Sequence, residues 1–210
     1  IAPFLWNRGI DQIDAIAVTH PDADHYNGLQ FIIEHFNPRA LWLRDKYGHD
    51  DQYRQLISFA EETPNLSVYV PTDGLQLFSE DTSGLKCIAN IGNWQKHNRG
   101  KKKRGTENSG LVLKACADRF CILFPGDIAK SYEQKLVDNS YALKSDILLS
   151  PHHGSATSNS EPFLHTVSPH NIIVSAGRLG RILFPSQELR RLSRIKEIGL
   201  HTTSNYGTLA

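Results

Sequence analysis

The segment Thr19-His20-Pro21-Asp22-Ala23-Asp24-His25 places four potential metal ligands within six residues, directly after the largely apolar stretch 13–18. That order reads as a buried strand delivering ligands to a loop at its carboxyl end, where open α/β sheets keep their chemistry. Two later segments repeat the layout. Residues 120–124 run into Pro125-Gly126-Asp127, and residues 146–149 run into Ser150-Pro151-His152-His153-Gly154-Ser155. Three strands thus end in loops bearing His or Asp, which is how distant parts of a chain assemble a dinuclear site. The short spacing in the first loop lets it present two ligands to each of two ions about 3.5–4 Å apart.

A chain of 210 residues, 40% hydrophobic and 21% charged, can bury one substantial core, and a single domain over 1–210 is the economical reading. No stretch approaches the roughly 20 apolar residues of a membrane span, and the first residues lack a secretory pattern. A start at Ile1 and the lack of any Met predict a piece of a longer chain. The net charge of +1 excludes a global pull toward nucleic acid, so any such interaction rests on local charge. Arg99-Gly100-Lys101-Lys102-Lys103-Arg104-Gly105 holds five positive charges in seven residues. Such a run is either a solvated loop or a phosphate-backbone contact. Trp94, just before it, either anchors the loop or stacks a base. Cys87, Cys116 and Cys121 have no Cys-x-x-Cys spacing and read as buried free thiols of a reducing compartment.

Periodicity supplies the elements between these motifs. Leu29, Ile32, Ile33 and Phe36 predict a helix over 27–36 with one buried face, and Tyr53, Leu56, Ile57 and Ala60 do the same for 51–62. Short strands are expected at 40–43, 68–70, 75–78 and 85–91, followed by a polar loop over 92–108. Residues 111–115 and 120–124 flank a hairpin turn at Asp118. Ser131 with Gln134 predicts a capping-box start for the next helix. Helix and strand then alternate: helix 163–167, strand 172–175, helix 187–198, strand 201–203. The alternation argues for a layered α/β architecture.

His-x-Asp-x-Asp-His at 20–25, Asn108-Ser109 ahead of a hairpin ending in Gly126-Asp127, and His152-His153-Gly154-Ser155 resemble the metallo-β-lactamase superfamily. Within it the chain is most similar to the soluble domain of ComEC-type DNA-internalisation competence proteins. The resemblance implies the α/β, four-layer αββα fold, here lacking part of its amino-terminal half. It also implies a phosphodiesterase that acts on nucleic acid, single-stranded DNA above all, through two divalent metal ions, Mn or Zn. The ligands it implies are His20, Asp22, Asp24, His25, Asp127 and His153. Asp127 takes the place of the bridging carboxylate, Asp24 orients the nucleophile, and a metal or His152 stabilises the leaving oxygen; which of His152 and His153 ligates stays open, with His153 favoured. Asn108, Ser109 and Ser155, with Thr157 and Ser158, line the rim, and Lys101, Lys102, Lys103 and Arg104 meet the substrate backbone.

Two positions depart from the wider pattern. Asp22 stands where most hydrolases of the superfamily carry His, and 26–126 offers no clear extra His at a strand end, since His35, His49 and His97 read as structural or surface residues. Oxygen ligands in that place favour Mn or Mg over Zn. Phe184 stands where competence-type domains carry His before Pro185. Two alternatives remain: a small-ester hydrolase of the phosphocholine-esterase or lactonase type, and a degenerate module that holds DNA without cutting it. Location also stays open, free thiols pointing to the cytoplasm and the family to the outer face of the bacterial membrane.

Overall fold

The computed structural model describes residues 1–46, 51–91, 110–177 and 184–207, which form an α/β fold divided into two compact units, Ile1–Pro71 and Thr72–Ala210. In the first unit α1 (Ala2–Asn7) leads to β1 (Ala15–Val18), α2 (Ala23–Tyr26), α3 (Leu29–Phe36), β2 (Ala40–Leu43), α4 (Asp51–Glu62) and β3 (Ser67–Tyr69). The three strands form a parallel sheet in the order β1-β2-β3, with Val18 beside Leu43 and Trp42 beside Tyr69. Strand β2 is buried on both faces, because the helices that cross between parallel strands cover the sheet. Tyr53, Leu56, Ile57 and Ala60 of α4 bury against Leu41, Leu43 and Val18, the face that the 3.6-residue period predicts. Helix α3 stops at Asn37, which takes a left-handed conformation ahead of Pro38. The helix α1 has no forecast in the sequence pattern; its Trp6 ring stacks on Phe36 at 5.5 Å.

The second unit contains β4 (Gln76–Glu80), β5 (Ser83–Asn90), β6 (Leu111–Ala117), β7 (Phe120–Phe124), α5 (Lys130–Asp138), β8 (Ile147–Leu149), a single 3-10 turn at Pro151–Gly154, α6 (Glu161–Val167), β9 (Asn171–Val174), α7 (Gln187–Ile195), β10 (Gly199–Thr202) and α8 (Thr203–Tyr206). Its seven-stranded sheet runs β10-β9-β8-β7-β6-β5-β4. Strands β4 to β7 form an antiparallel meander, and β7 to β10 are parallel. Strand β7 therefore belongs to both halves, and the carboxyl ends of β7, β8 and β9 point the same way. Leu123, Leu148, Ile172 and Val174 bury with Leu136 of α5, Phe163 of α6 and Leu189 of α7 in one core.

Two expectations are corrected here. Helix α5 starts from Ala129, with no side-chain cap, so Ser131 lies inside the helix; the amide of Lys130 donates instead to the Thr157 carbonyl at 2.9 Å. A tertiary partner thus does the work that the capping box would do. The cysteines are not all free. Cys116 and Cys121 are joined in a disulfide, and Cys87 alone is a buried thiol. The cause is register: the two-residue turn at Asp118-Arg119 sets Cys116 directly opposite Cys121 on β6 and β7, a cross-strand placement that close thiols can bridge. Spacing rules for metal or thioredoxin-type pairs do not register it.

Leu123 is fully buried at the centre of β7, beside Leu148. Replacing it with Ala is expected to cost about 2–5 kcal/mol in urea unfolding; a loss below about 1 kcal/mol would show that β7 is not the core strand of its unit.

Candidate functional site

The first donor set grows from the end of β1. After Val18 the backbone bends, Asp22 takes an extended conformation as the N-cap of α2, and Asp24 and His25 lie in that one-turn helix. The sequence reading put all four donors in a loop; helical backbone at 23–26 corrects it, and the burial of Tyr26 against Tyr53, ring centroids 5.3 Å apart, is what anchors the turn. His20 and His25 then stand with ring centroids 3.9 Å apart. Thr19 Oγ1 lies 3.1 Å from His20 Nδ1 and 3.5 Å from His25 Nδ1. His20 Nε2 lies 3.6 Å from Asp22 Oδ2, and His25 Nε2 lies 3.7 Å from Asp24 Oδ2.

This arrangement suits a cation. A hydroxyl oxygen has two lone pairs and can accept from both Nδ1–H groups, which fixes both rings with Nε2 as the basic nitrogen. Each Nε2 is then paired with a carboxylate, so imidazole nitrogen and carboxylate oxygen are offered together. Thr19 is a residue that the sequence reading left without a role. Its signal was present, a hydroxyl beside the first His at a strand end, but side chains adjacent on a strand diverge, and only the bend after Val18 brings Thr19 to both rings.

The second donor set comes from the aligned ends of β7, β8 and β9. Asp127, mostly buried, follows β7 through Pro125-Gly126. His153 follows β8, and its Nε2 lies 3.6 Å from Asp127 Oδ2. His153 Nδ1 is 2.8 Å from the carbonyl of Ser175, just past β9. A carbonyl only accepts, so Nδ1 carries the hydrogen and Nε2 is the basic atom facing Asp127. His152 is held otherwise. Its Nδ1 is 3.0 Å from Thr157 Oγ1, which is also 3.0 Å from Ser155 Oγ, and its ring centroid is 6.3 Å from that of His153. The Phe184 ring lies 6.4 Å from His153, an apolar neighbour with no proton to give.

The two imidazoles diverge because their backbone is left-handed. His152 has φ 50° and His153 φ 54°, followed by Gly154 at φ 81°. Non-glycine residues in this region cost of order 1–3 kcal/mol each and persist only where surroundings hold them. Glu133, fully buried on α5, accepts from the amides of Asn159 at 2.6 Å and Ser160 at 2.8 Å. Burial pushes its carboxyl above the ordinary range, and these hydrogen bonds oppose the shift. Ser150 Oγ donates to Asn159 Oδ1, and Asn159 Nδ2 donates to the Pro151 carbonyl. Ser158 donates to the Ile128 carbonyl at 2.7 Å and is 2% exposed, so it is a buttress and not a rim residue. A Cβ on Gly154 would sit 2.7 Å from Pro185 Cβ. Neither Glu133 nor Asn159 could be singled out in the sequence, since all of their partners here but the Ser150 hydroxyl are backbone groups.

Asn108, Ser109, Lys101, Lys102, Lys103 and Arg104, with Trp94, His97 and His49, lie outside the described residues. His35 makes a local hydrogen bond to the Phe31 carbonyl, a structural role. No helix among the described residues is long and apolar enough to cross a membrane.

Residues 1–85 match the family model of the metallo-beta-lactamase superfamily. The match takes in the first donor segment, His20 to His25, and ends within β5. Along its whole length the chain is 25% identical to ComE operon protein 3 of Bacillus subtilis, of which it spans 26%, and 25% identical to competence protein ComA of Neisseria gonorrhoeae, again 26% of that protein. It is 31% identical over 90% of its length to YcaI of Escherichia coli, of which it spans 22%. The chain therefore spans about a quarter of the length of these curated relatives. Among solved structures, a protein of Parabacteroides distasonis assigned as a metal-dependent hydrolase aligns with TM-score 0.55 at 13% identity, over 92% of this chain and 77% of that one. A variant of the CmlA β-hydroxylase aligns with TM-score 0.57 at 12% identity, over 91% of this chain and 43% of its own. These two likenesses show a shared α/β fold.

Thr19→Val is expected to weaken Mn binding by about 10–100-fold in a chelator competition while leaving the melting temperature nearly unchanged; Thr19→Ser should restore it. Parent-like affinity in the Val variant would leave Thr19 without a part in orienting the imidazoles. Gly154→Ala is expected to lose more than about 2 kcal/mol in chemical denaturation, since a Cβ meets Pro185 and the left-handed backbone is strained for Ala. Unchanged stability would mean that the His152-His153 turn is not clamped there.

Proposed function

We propose that the chain is a metal-dependent hydrolase, a phosphodiesterase acting on nucleic acid, whose divalent cations are held by His20, Asp22, Asp24, His25, Asp127 and His153. The observation that carries the reading is the paired orientation of imidazole and carboxylate: His153 is fixed through Nδ1 on the Ser175 carbonyl with Nε2 beside Asp127, and His20 and His25 share Thr19 with Nε2 beside Asp22 and Asp24. The match of residues 1–85 to the superfamily model supports it, as do the names of two relatives: that of the Neisseria gonorrhoeae protein speaks of competence and that of a Haemophilus influenzae protein, 24% identical over 93% of this chain, of recombination.

Bound divalent cations would supply Lewis acidity, lowering the pKa of water and neutralising phosphate charge. The side chains do the rest. Asp24, with an exposed carboxylate, accepts a hydrogen bond from the attacking water and orients it. Asp127 contributes charge from a mostly buried position, where it is weakly screened. His152, steadied by Thr157 through Nδ1, has Nε2 for a proton to the leaving oxygen. The Cys116–Cys121 disulfide favours an oxidising compartment, as on the outer face of a bacterial membrane, since cytosolic reductants keep such pairs open. We also take the two compact units as halves of one metallo-β-lactamase domain.

Three carboxylates against three imidazoles make the donor set rich in oxygen, which favours Mn over Zn. Metal-depleted protein assayed on bis(p-nitrophenyl) phosphate is expected to turn over faster with Mn than with Zn, and Asp22→His should narrow or reverse the preference. Equal or faster turnover with Zn in the parent would remove the oxygen-ligand argument. Metal-dependent turnover of a lactone or phosphocholine ester, with none of the phosphodiester, would replace the nucleic-acid reading by that of a small-ester hydrolase.

A further inference from the structure

Helix α7 follows the clasp that holds the His152-His153 turn. The amide of Ser186 donates to the Gly154 carbonyl at 2.8 Å, Ser186 Oγ caps the helix by accepting from Leu189, and Pro185 packs where a Cβ on Gly154 would fall. Leu189, Leu192 and Ser193 are buried. The opposite face carries Gln187, Arg190, Arg191, Arg194 and Ile195, which line a shallow groove of about 320 Å³. At about 100° per residue these five side chains occupy about 140° of the helix circumference.

Three guanidiniums at i, i+1 and i+4 repel one another, and like-charge neighbours on a helix cost a few tenths of a kcal/mol per pair. The neighbouring carboxylates do little to offset this. Glu188 pairs with Lys130 at 3.0 Å, and Glu161 pairs with Lys196 at 3.0 Å. Arg190 is held in place, donating to the carbonyls of Pro185 at 3.1 Å and Phe184 at 3.4 Å. Arg191 and Arg194 are exposed and have no ion-pair partner among the described residues. Among the described residues, no ion pair offsets the repulsion at Arg191 and Arg194.

We infer that the arginine face of α7 is a binding surface for the phosphate backbone of a single nucleic-acid strand, leading it to the His152-His153 turn. The inference deepens the phosphodiesterase reading and rests on it for the identity of the polymer. Charge complementarity argues for the occupant. Guanidinium forks bind phosphate oxygens in bidentate fashion, and the rise of about 1.5 Å per residue sets Arg190 and Arg194 about 6 Å apart along the axis, a step that suits successive phosphates of an extended strand. Ile195, 63% exposed at the end of the groove, gives one apolar contact for a base or sugar. An anionic bilayer is a poorer fit, because a helix lying in an interface needs a wide apolar face toward the lipid, and Leu189 and Leu192 are committed to the core.

The test uses the whole 210-residue chain, metal-chelated so that nothing is cut, binding a labelled oligothymidylate over a range of salt. Arg191→Gln with Arg194→Gln is expected to lower the slope of log affinity against log salt by about 1.4, two contacts at about 0.7 each. Between 50 and 200 mM salt the parent should then lose about sevenfold more affinity than the variant. Arg191→Lys with Arg194→Lys should keep the slope, and metal-dependent turnover of bis(p-nitrophenyl) phosphate should stay within about twofold of the parent. An unchanged slope in the Gln variant, or a parent that does not bind the oligonucleotide, overturns the inference. So does loss of binding to phosphatidylglycerol vesicles without loss on the oligonucleotide. A parent that turns over no phosphodiester with any ion, while the slope still falls, defeats the hydrolase reading and leaves this surface standing.

Discussion

The turn through His152, His153 and Gly154 is the constraint around which the second unit is arranged. Two consecutive imidazole-bearing residues sit in left-handed backbone, at a cost of about 2–6 kcal/mol together. An ordinary extended exit from β8 would send neighbouring side chains to opposite faces. The left-handed pair instead aims one ring at Asp127 and Ser175 and the other at Thr157. A strain of this size is stable only if the surroundings leave the chain no easier path. Here the surroundings are Pro185 pressed against Gly154, the Asn159 side chain reaching back to Pro151, and Glu133 under the next two amides.

Glu133 is the costly part of that support. A carboxylate with no exposed surface is disfavoured in its charged form, and its raised pKa says that desolvation outweighs the hydrogen bonds it receives. A glutamine could not serve equally, since its amide nitrogen cannot accept from Ser160 while its oxygen accepts from Asn159. The acid is therefore explained by two backbone donors at the start of α6 that need two acceptors in a space closed to water. The buried side chain of one helix and the exposed face of another, α7, are both fastened to the same turn, so the unit's core and its proposed binding surface meet there.

Much of this was legible in the sequence because it depends on periods and on residue types that have few uses. The buried faces of α3 and α4 follow from apolar spacing, β2 and β7 from short apolar runs, and the likeness of residues 1–85 to the superfamily model from the clustering of His and Asp after β1. What escaped is set by tertiary geometry. The Cys116–Cys121 bridge depends on the hairpin register, the start of α5 on a carbonyl from a distant loop, and the helical placement of Asp24 and His25 on Tyr26 finding Tyr53. Thr19, Glu133 and Asn159 act through atoms that every residue, or many residues, possess. No pattern marks a hydroxyl that will lie between two imidazoles until the backbone bend that puts it there is known.

The two strand ends that carry His153 and Asp127 show why a parallel arrangement suits this work. In the meander half of the sheet, consecutive strands run in opposite directions, and two-residue turns at Asp81-Thr82 and Asp118-Arg119 join β4 to β5 and β6 to β7. From β7 onward the strands run parallel, and each crossover returns the chain to the same starting edge. The carboxyl ends of β7, β8 and β9 are thereby brought side by side, so that Asp127, His153 and the Ser175 carbonyl meet although 48 residues separate the first from the last. The ring is oriented by a main-chain oxygen of the neighbouring strand, and sheet hydrogen bonds set where that oxygen lies. Ligand geometry in this unit is in that sense a property of sheet register, and a change that slips β9 against β8 would disturb His153 without altering any donor.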